Sequence, residues 1–482
     1  MRIRMMPIKR ISSHVRTTKR NGVGEMVKKL VVTALIYGTL IVQAQAGLVQ
    51  SFGIGARATA MGEAVSANSA DPFAVYYNPA GLADIDQQMI TAGANIMHPS
   101  GEITDIQFVD QNGYDWMDNA LVSAMVGPRD IESDSATIIN PGMGYARPLN
   151  DRYVFGVAVY APYGLHANWD QDYAKNPMAL YCWRSLYTRT VISPTLGAKL
   201  TDTLSFGFGL SLGRSECETG KSYPINPFDP GASIGVHKLL LKADDSFNLS
   251  ANVGFLYRPS DRLSLGLTYR SKAEGDFKGH VKLNGRRIGS ASMNYDHPEA
   301  VQAGVMYRVL PSLTCEVDAT WTRWGINDRQ IEIVTLDDDV VLASGMPKVI
   351  PFNHARFWND ITRLQLGVEW QATDTFSLRA GYIWDPTPVP GHTFDLGWPD
   401  TDRAIYDVGF GWAISDNWIL DGVIQYVNSR PVRSITGGSD ELNHGFGRLF
   451  NTLTRGAVET IDVHLNQEGT LWSGGLTVSY LF

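Results

Sequence analysis

Cysteine is the residue type whose spacing most specifically indicates a catalytic or metal site. This 482-residue chain has three cysteines, and their spacing matches no such pattern. Cys182, Cys217 and Cys315 include no C-x-x-C pair, and no histidine–cysteine spacing is typical of zinc. In an exported protein Cys182 and Cys217 could form a disulfide, but three cysteines do not make a disulfide scaffold. We therefore expect no metal site and no cofactor.

Serine and histidine would have to lie within hydrogen-bond distance of each other in a lipid-hydrolysing enzyme. Seven histidines fall in segments that we predict to be loops: His166, His237, His280, His297, His354, His392 and His444. The acidic run Asp337–Asp339 could bind calcium, and a solvated loop face is the alternative. The pattern favours a protein that is not an enzyme.

The composition excludes several further classes of protein. A formal charge of −8 excludes nucleic-acid binding through bulk basicity. Charged residues make up 19% and aromatic residues 10% of the chain, which argues against intrinsic disorder. The mean hydropathy of −0.12 excludes a bundle of membrane helices.

The N-terminus has the three parts of a secretory signal peptide. Lys28 and Lys29 precede the apolar run 30–42, which is too short to span a bilayer as a helix, and Ala44-Gln45-Ala46 follows. We assign residues 1–46 to the signal peptide, with a buried core helix as the alternative, and residues 1–25 to a possible over-extended start before Met26. Without residues 1–46 the chain has 32 basic and 48 acidic residues, a net charge of −16.

Period-two alternation recurs along the rest of the chain and indicates strands with two different faces. In the segment 204–213, leucine and phenylalanine alternate with serine and glycine. The same pattern predicts fourteen strands, at 86–97, 136–147, 152–162, 188–199, 204–215, 246–258, 262–271, 298–309, 313–324, 360–371, 376–384, 403–414, 418–428 and 470–482.

Alternation also occurs in soluble sandwiches, but three details favour a membrane barrel. Aromatic residues cluster at strand ends, one strand face is rich in glycine and serine, and connections alternate between very short and very long. An even number of strands places the first and last strand ends of the chain on the periplasmic side. We predict an all-β fold: a 14-stranded antiparallel transmembrane β-barrel, residues 86–482, in the outer membrane of a Gram-negative bacterium.

Residues 47–85 do not alternate and are dense in glycine and alanine. Small residues allow short helices and turns to pack inside a confined space, so we predict a plug within the lumen. A periplasmic tail is the alternative, although a tail would carry more charge and fewer aromatic residues.

Several short motifs follow one another along the chain after residue 46. They are Asn78-Pro79-Ala80-Gly81-Leu82, Tyr163-Gly164-Leu165, Leu267-Thr268-Tyr269-Arg270-Ser271, and Arg379-Ala380-Gly381 followed by Pro388-Val389-Pro390 and Pro399-Asp400-Thr401-Asp402-Arg403. With the strand count, these motifs resemble the FadL outer-membrane transporters (the OmpP1/FadL/TodX family). In that family the N-terminal plug is called the hatch, and Asn78, Pro79 and Ala80 match its motif.

The resemblance implies passive transport of hydrophobic molecules through loop capture, inner-pocket binding, hatch rearrangement and lateral release. Long-chain fatty acids are the first expected ligand, and aromatic or aliphatic hydrocarbons are the alternative. An outer-membrane lipid-hydrolysing enzyme is a further alternative. The expected partners are outer-membrane lipid and lipopolysaccharide around a monomer, with no nucleic acid.

The resemblance also implies particular site residues. Leu48 matches the ligand-contacting position of the hatch, with Phe52 nearby, and Arg214 resembles the family's ligand-pairing arginine or else pairs with a neighbouring glutamate. The third strand is expected to open laterally, at Gly156 or at Pro162, where proline cannot donate a ladder hydrogen bond. The apolar second outer loop is the expected capture region, with loop self-packing or lipopolysaccharide contact as alternatives: Tyr163, Leu165, Trp169 and Trp183.

Overall fold

The computed structural model describes residues 50 and 52–482, with gaps at 135, 225, 227–234, 430–432 and 437–439. The chain divides into two units, residues 1–42 and 43–482, and every described residue belongs to the second. The assignment of residues 1–46 to a signal peptide and the ligand role of Leu48 lie outside the described residues and stay predictions.

Strands make up most of the described chain. They are β1 Met89–Asp110, β2 Ile131–Glu132, β3 Ile138–Pro148, β4 Tyr153–Asn168, β5 Arg184–Lys199, β6 Leu204–Tyr223, β7 His237–Ser260, β8 Leu263–Arg270, β9 Asp276–Leu283, β10 Arg286–Asn294, β11 Ala300–Leu310, β12 Leu313–Thr322, β13 Arg329–Leu336, β14 Val349–Ala355, β15 Ile361–Gln371, β16 Phe376–Asp385, β17 Arg403–Ser415, β18 Trp418–Asn428, β19 Arg433–Ile435 and β20 Ile461–Leu481.

Fourteen of these strands close an antiparallel barrel. The order around the barrel is β1, β3, β4, β5, β6, β7, β8, β11, β12, β15, β16, β17, β18 and β20. Strand β20 pairs with β1 from Met89↔Leu481 to Asp110↔Ile461, so no barrel edge stays open. The predicted fold class is confirmed, and each of the fourteen predicted strands is present.

The two strand faces meet different surroundings, as the alternation predicted. In β6 the side chains of Phe208 and Leu210 are exposed on the outside, whereas Ser205 and Ser211 are buried on the lumen side. Exposed aromatic side chains form two outward belts, one near each rim: Trp370, Trp412, Trp418 and Phe482 near the short turns, and Trp384, Tyr406 and Trp472 near the long loops. No helix in the described ranges is long and apolar enough to cross a membrane.

The described residues before β1 fill the lumen, and we call residues 50 and 52–85 the hatch. They form helices α1 Ala56–Ala60 and α2 Ala74–Tyr77 and the 3₁₀ turn Pro79–Asp84. Strand β12 holds the hatch backbone, because the Asp318 carboxylate accepts the Ser66 N–H (3.0 Å) and the Glu316 carboxylate accepts the Ala67 N–H (2.6 Å). Glycine on the lumen face is explained by this packing, since a Cβ on Gly254 would overlap the Asn78 side chain.

The long loops have more regular structure than the sequence indicated. Beyond the barrel, β9, β10, β13 and β14 extend the outer end of β7 into a second sheet, the outer sheet, in the order β7-β9-β10-β13-β14. The outer loops also contain helices α3 Ala120–Val126, α4 Asp338–Ser344 and α5 Asp440–Leu453, and 3₁₀ turns at Trp116–Asp118, Pro177–Leu180, Trp324–Ile326 and Gly391–Thr393.

Candidate functional site

An aromatic cluster lies between the barrel lumen and the outer loops. Its rings come from five segments that are distant in sequence: Tyr187, Tyr295, Trp324, Trp358 and Trp398. Tyr295 stacks on Trp398 with ring centroids 5.2 Å apart, and Trp358 meets Trp398 edge-on at 5.3 Å. These rings form an apolar wall that can exclude water from a hydrophobic ligand.

A cavity of ≈ 550 Å³, its opening included, adjoins this cluster, and we call it the outer cavity. Leu186, Tyr187, Met293 and Trp398 form its apolar side. The outer cavity therefore combines an apolar wall with access from the outer loops.

Lys221, near the outer end of β6, supplies a cation to the outer cavity. Its ammonium lies between two rings, 5.5 Å from the centroid of Tyr181 and 6.0 Å from that of Phe352. Within the described parts of the chain, no carboxylate forms an ion pair with it. A ligand carboxylate could supply the missing partner.

Most other charged groups of the outer cavity pair with one another, and Glu332, which also lines it, lies 3.7 Å from His354 Nε2 and acts electrostatically on Lys221. Arg356 pairs with Asp395, and its Nη2 also donates to Gln330 Oε1 at 2.7 Å. His354 Nδ1 lies 2.9 Å from Glu441 Oε1, and the Tyr181 hydroxyl donates to Glu441 Oε2 at 2.5 Å. These pairs join loops that are far apart in the sequence.

A second buried cation, Arg189, lies deeper in the lumen on β5. Both of its hydrogen-bond partners are neutral: Nε donates to Asn248 Oδ1 at 2.8 Å and Nη2 donates to Ser250 Oγ at 3.1 Å. No ion pair links it to a carboxylate of the described residues, although its side chain is buried. The strand opposite leaves room for it, because a Cβ on Gly213 would lie 2.8 Å from Arg189 Nε.

His297 lies beside Arg189 and is held in the neutral form. Burial lowers the pKa of His297 well below its usual value, and the positive charge of Arg189 adds to the effect. Its ring stacks on Tyr163 with centroids 5.0 Å apart, and the Tyr187 hydroxyl lies 3.0 Å from Nδ1. The site therefore has one charged and several neutral hydrogen-bonding groups.

The structure brings a serine and a histidine together, contrary to the sequence reading. Ser215 Oγ lies 3.1 Å from His297 Nε2. His166 and His237 lie in barrel strands that extend past their predicted ends, and His280 and His354 lie in outer-sheet strands that were not predicted. The pair lacks the third group of a catalytic triad, because a tyrosine hydroxyl and not a described carboxylate contacts the other ring nitrogen. With its low pKa, His297 is also a weak base at neutral pH.

Arg214 points away from the lumen, so its expected contact with a ligand inside the barrel is corrected. It has the outward parity of Leu210 and Leu212, and its Nη2 pairs with Glu216 at 3.0 Å and with Asp244 at 3.6 Å. Arg214 instead pairs with a neighbouring glutamate, which was the alternative expectation from the sequence.

The apolar residues of the expected capture loop do not form one exposed surface. Tyr163 contacts His297, and Leu165 belongs to the apolar cluster around Tyr187. Trp169 is buried in a different cluster under helix α5, and Trp183 packs against Gly220. These contacts correspond to the loop self-packing alternative, and the capture role of the four residues stays a hypothesis.

The cysteines are free in the structure, so the possible Cys182–Cys217 disulfide is not formed. Both thiols are buried and line the outer cavity. Burial raises the pKa of the Cys182 thiol to about 12, which keeps it protonated and unreactive.

The hatch motif, residues 78–80, holds the hatch backbone in place. Asn78 Nδ2 donates to the carbonyls of Ser66 (2.6 Å) and Phe255 (3.0 Å), and its Oδ1 accepts the Ala80 N–H (3.0 Å). Pro79 occupies the first position of the 3₁₀ turn, where its missing N–H costs nothing. The motif thus fixes the hatch backbone against β7. Phe52, nearer the hatch N-terminus, is buried with its ring 5.6 Å from the Arg403 guanidinium.

The third barrel strand, β4, is interrupted at Pro162 and regular at Gly156. Its pairing with β5 shifts register between Tyr160 and Tyr163, and its pairing with β3 ends at Val159. Gly156 keeps partners on both sides and makes room for the hatch, because a Cβ there would lie 2.7 Å from Leu82. The outer half of β4 therefore has a gap on its β3 side, next to Pro162.

Gln50 of the hatch reaches this gap. It forms an isolated antiparallel bridge with Tyr163, just beyond the β4 bulge. A narrow cleft lies between the hatch and strands β1, β3 and β4, and Ile54, Phe73, Pro141 and Tyr160 are among its lining residues. The hatch end, the bulge and Arg189, the β5 register partner of Tyr163, are thus neighbours.

A lipid-facing barrel of fourteen strands whose lumen holds its own N-terminal segment defines a plugged outer-membrane barrel. The family model of the outer membrane protein transport proteins (OMPP1/FadL/TodX) matches residues 35–459. This chain belongs to that family and is an outer-membrane protein. The resemblance stated from the sequence motifs is confirmed.

Individual relatives are distant in sequence. The long-chain fatty acid transport protein of Escherichia coli K12 is 22% identical over 417 residues, covering 78% of this chain and 86% of the relative. Two solved structures share the fold: a Pseudomonas aeruginosa FadL homologue (TM-score 0.70, 20% identity, 90% and 99% of the two chains) and the Pseudomonas putida toluene transporter TodX (TM-score 0.64, 15% identity, 89% and 99%).

The sequence reading missed the residues that make up most of the site. Lys221, Arg356 and Trp398 were not singled out, although the predicted strand 188–199 already included Arg189. The alternation of strand faces could have identified Lys221, because it lies an even number of residues from Ser215 and Cys217, which face the lumen on the same strand.

Proposed function

We propose that this protein carries long-chain fatty acids passively across the outer membrane. The observation that carries the proposal is the outer cavity, where an apolar wall adjoins the ammonium of Lys221, which has no described carboxylate partner. An acyl chain binds such a wall with about 0.8 kcal/mol per buried CH₂, and a carboxylate pairs with the cation.

The second cation gives the route a direction. On their strands, Lys221 lies at the level of residue 183 and Arg189 is six residues further into the barrel, roughly 20 Å along the strand. A fatty acid bound first at Lys221 is passed to Arg189, beside the hatch end and the β4 bulge. Movement of the hatch end then opens the gap at Pro162, and the ligand leaves sideways into the bilayer.

Hydrocarbon uptake by the same barrel is the second candidate, favoured by the aromatic walls of the site. Rings such as Trp358 and Trp398 suit a flat aromatic ligand as well as an acyl chain. A neutral hydrocarbon would, however, leave Lys221 and Arg189 without an ion-pair partner. The two cations therefore favour a carboxylate-bearing ligand.

A binding comparison tests the proposal. We expect the purified protein to bind oleate more tightly than methyl oleate or toluene, because only oleate has a carboxylate. Lys221→Gln or Arg189→Gln should weaken oleate binding about 10–100-fold and leave methyl oleate binding unchanged. Arg152→Gln, in an exposed turn at the opposite rim, is the matched control. Equal affinity of the wild type for oleate and methyl oleate would remove the support for a fatty acid ligand.

A further inference from the structure

The outward face of the outer sheet is basic, although the mature part of the chain is strongly acidic. Lys238 and Lys242 on β7, His280 and Lys282 on β9 and Arg287 on β10 form this face, which we call the basic face. The opposite side of the same strands is apolar and packs into the cluster around Tyr187. The basic face is therefore not part of the site described above.

Strand register places basic residues directly beside one another. Lys242 is the register partner of His280, and Lys282 is the register partner of Arg287. Like charges opposed on neighbouring strands destabilise a sheet, since their Cβ atoms lie only about 5 Å apart. An anion that lies over Lys282 and Arg287 would relieve this repulsion.

Protein carboxylates compensate the basic face in part. Lys242 Nζ pairs with Glu218 at 2.5 Å, and Arg287 Nε lies 3.9 Å from Asp337 Oδ2. Lys238 and Lys282 form no ion pair with a carboxylate in the described ranges. Nearby charges balance one another: Lys278 and Arg286 pair with Asp276 and Asp339, and Arg214 pairs with Glu216 and Asp244.

The charge around His280 is positive. Burial lowers the pKa of His280, and the charges that act on it, those of Lys282, Arg287 and Lys242, all lower it further. The centre of the basic face therefore presents a positive potential to whatever lies outside the barrel.

The position of the basic face relates it to the membrane surface. Strand β7 runs from lipid-facing residues, Leu249 and Phe247, past Asp244, which pairs with Arg214 at 3.6 Å, to Lys242 on the outward side. Five residues of a strand tilted by about 40° place Lys242 roughly 12 Å above Phe247. The basic face thus borders the head-group layer of the outer leaflet and lies outside the pore.

We propose that the basic face binds the phosphate groups of lipopolysaccharide, the phosphorylated glycolipid of the outer leaflet that surrounds the barrel. Phosphate oxygens accept hydrogen bonds from lysine ammonium groups and bidentate bonds from an arginine guanidinium, and they remove the repulsion between opposed cations. Such binding anchors the outer sheet beside the barrel, whichever ligand the barrel transports.

The test compares two variants with the same change in charge. Lys242→Gln, Lys282→Gln and Arg287→Gln are combined in one variant, and Arg152→Gln, Arg262→Gln and Arg308→Gln, exposed at the periplasmic rim, in the control. Binding of purified lipopolysaccharide to each detergent-solubilised protein is measured, with lipopolysaccharide dephosphorylated by a phosphatase as the second probe.

We expect the basic-face variant to bind lipopolysaccharide about 100-fold more weakly and the control to be within about threefold of the wild type. Dephosphorylated lipopolysaccharide should bind the wild type as weakly as the variant. The proposal is overturned if the basic-face variant keeps wild-type affinity, if the control loses as much, or if dephosphorylation has no effect.

A second measurement keeps the proposal testable if the triple variant fails to fold, as judged by its heat-dependent gel migration. The single variant Lys282→Gln removes a cation that has no described carboxylate partner and should still weaken binding about fivefold. Wild-type affinity should also fall as salt concentration rises, because exposed charge pairs are screened. Salt-independent binding would contradict phosphate recognition.

Discussion

Gln50 of the hatch forms an antiparallel bridge with Tyr163 of β4 at the point where that strand loses its β3 partner. Tyr163 is also the register partner of Arg189 and stacks on His297. Under the proposed function, a ligand that reaches Arg189 would contact the strand segment that holds the hatch end, and this contact would link ligand binding to hatch movement.

A covalent lock between these two residues should stop transport. Partners in an antiparallel bridge have Cα atoms about 4.5–5.5 Å apart, within the range of a disulfide. In a protein without its three native cysteines, Gln50→Cys combined with Tyr163→Cys should transport oleate when reduced and lose at least about 90% of transport when oxidised. Transport is measured before and after oxidation and again after reduction.

A second cysteine pair controls for the effect of a cross-link. Thr91 and Ser479 are neighbours on β1 and β20, with their hydroxyl oxygens 2.7 Å apart in the barrel wall. Cross-linking Thr91→Cys to Ser479→Cys should leave transport unchanged, because the wall does not move. Full transport by the oxidised Gln50–Tyr163 pair would show that the hatch end need not leave β4.

The contact between His354 and Glu441 predicts a pH-dependent attachment of helix α5. Burial opposes the charged form of His354, but the hydrogen bonds to Glu332 and Glu441 outweigh it and raise the pKa above its ordinary value of 6.5. Burial also opposes ionisation of Glu441, whose pKa is nevertheless lowered to about 2, mainly by His354. The other titratable groups that line the cavity around the pair are Tyr181, Cys182, Tyr187, Cys217, Lys221, Arg356 and Asp395.

The opposite directions of the His354 and Glu441 pKa shifts define a pH window. The raised pKa of His354 gives stability that is complete below pH 6.5 and is lost as the pH rises through the folded-state value. The lowered pKa of Glu441 gives stability that is present above its ordinary value of 4.5 and is lost as the pH falls towards 2. Helix α5 should therefore be held most firmly between pH 4.5 and 6.5.

Amide hydrogen exchange of helix α5 checks this window. After correction for intrinsic rates, protection of residues 440–453 should be about tenfold higher at pH 6 than at pH 8.5 in the wild type. His354→Gln should remove the difference, and His392→Gln, an exposed outer-loop histidine, should keep it. The same pH dependence in His354→Gln would mean that another group controls the helix.

Asn78→Ala should loosen the hatch and leave the barrel folded. The substitution removes three hydrogen bonds and leaves the Ala80 N–H and the Ser66 carbonyl buried without partners, a cost of about 2–4 kcal/mol to hatch docking. Protease cleavage within the hatch should become faster, while heat-dependent gel migration of the barrel stays normal. Asn112→Ala, in an exposed outer loop, should change neither property, and an equally resistant hatch in Asn78→Ala would refute the anchoring role.

Affinity for fatty acids should depend on chain length. Each added CH₂ that reaches the apolar wall should tighten binding about fourfold until the site is filled. Trp398→Ala shortens that wall and should flatten the dependence, whereas Trp412→Ala, on the lipid-facing exterior, should not. Titrations with saturated acids of increasing length measure the slope, and a flat slope in the wild type would exclude the outer cavity as the acyl-chain site.

The barrel could be predicted from sequence because its two faces meet chemically opposite surroundings. Along β6, for example, every second residue is leucine or phenylalanine, and the parity extends correctly to Arg214 on the outside. The resemblance to the family suggested a ligand role for Arg214, and parity was the better guide. Parity also places Lys221 inside, once β6 is known to continue to Tyr223.

The site could not be predicted to the same degree because its contacts join residues far apart in the sequence. His354 and Glu441 are separated by 87 positions and meet through two outer loops whose strands and helix show no clear alternation. The second outer loop is rich in tryptophan, but whether Trp169 is exposed or buried depends on helix α5, more than 250 residues later. Local pattern contains no information about such partners.

Uptake of labelled oleate by Gram-negative cells that lack their own long-chain fatty acid transporter tests the central claim most directly. We predict that the wild-type protein restores saturable oleate uptake without raising toluene uptake, and that Arg189→Gln, at equal outer-membrane abundance, restores about tenfold less. Toluene uptake without oleate uptake, or oleate uptake that is the same in Arg189→Gln, would contradict the account.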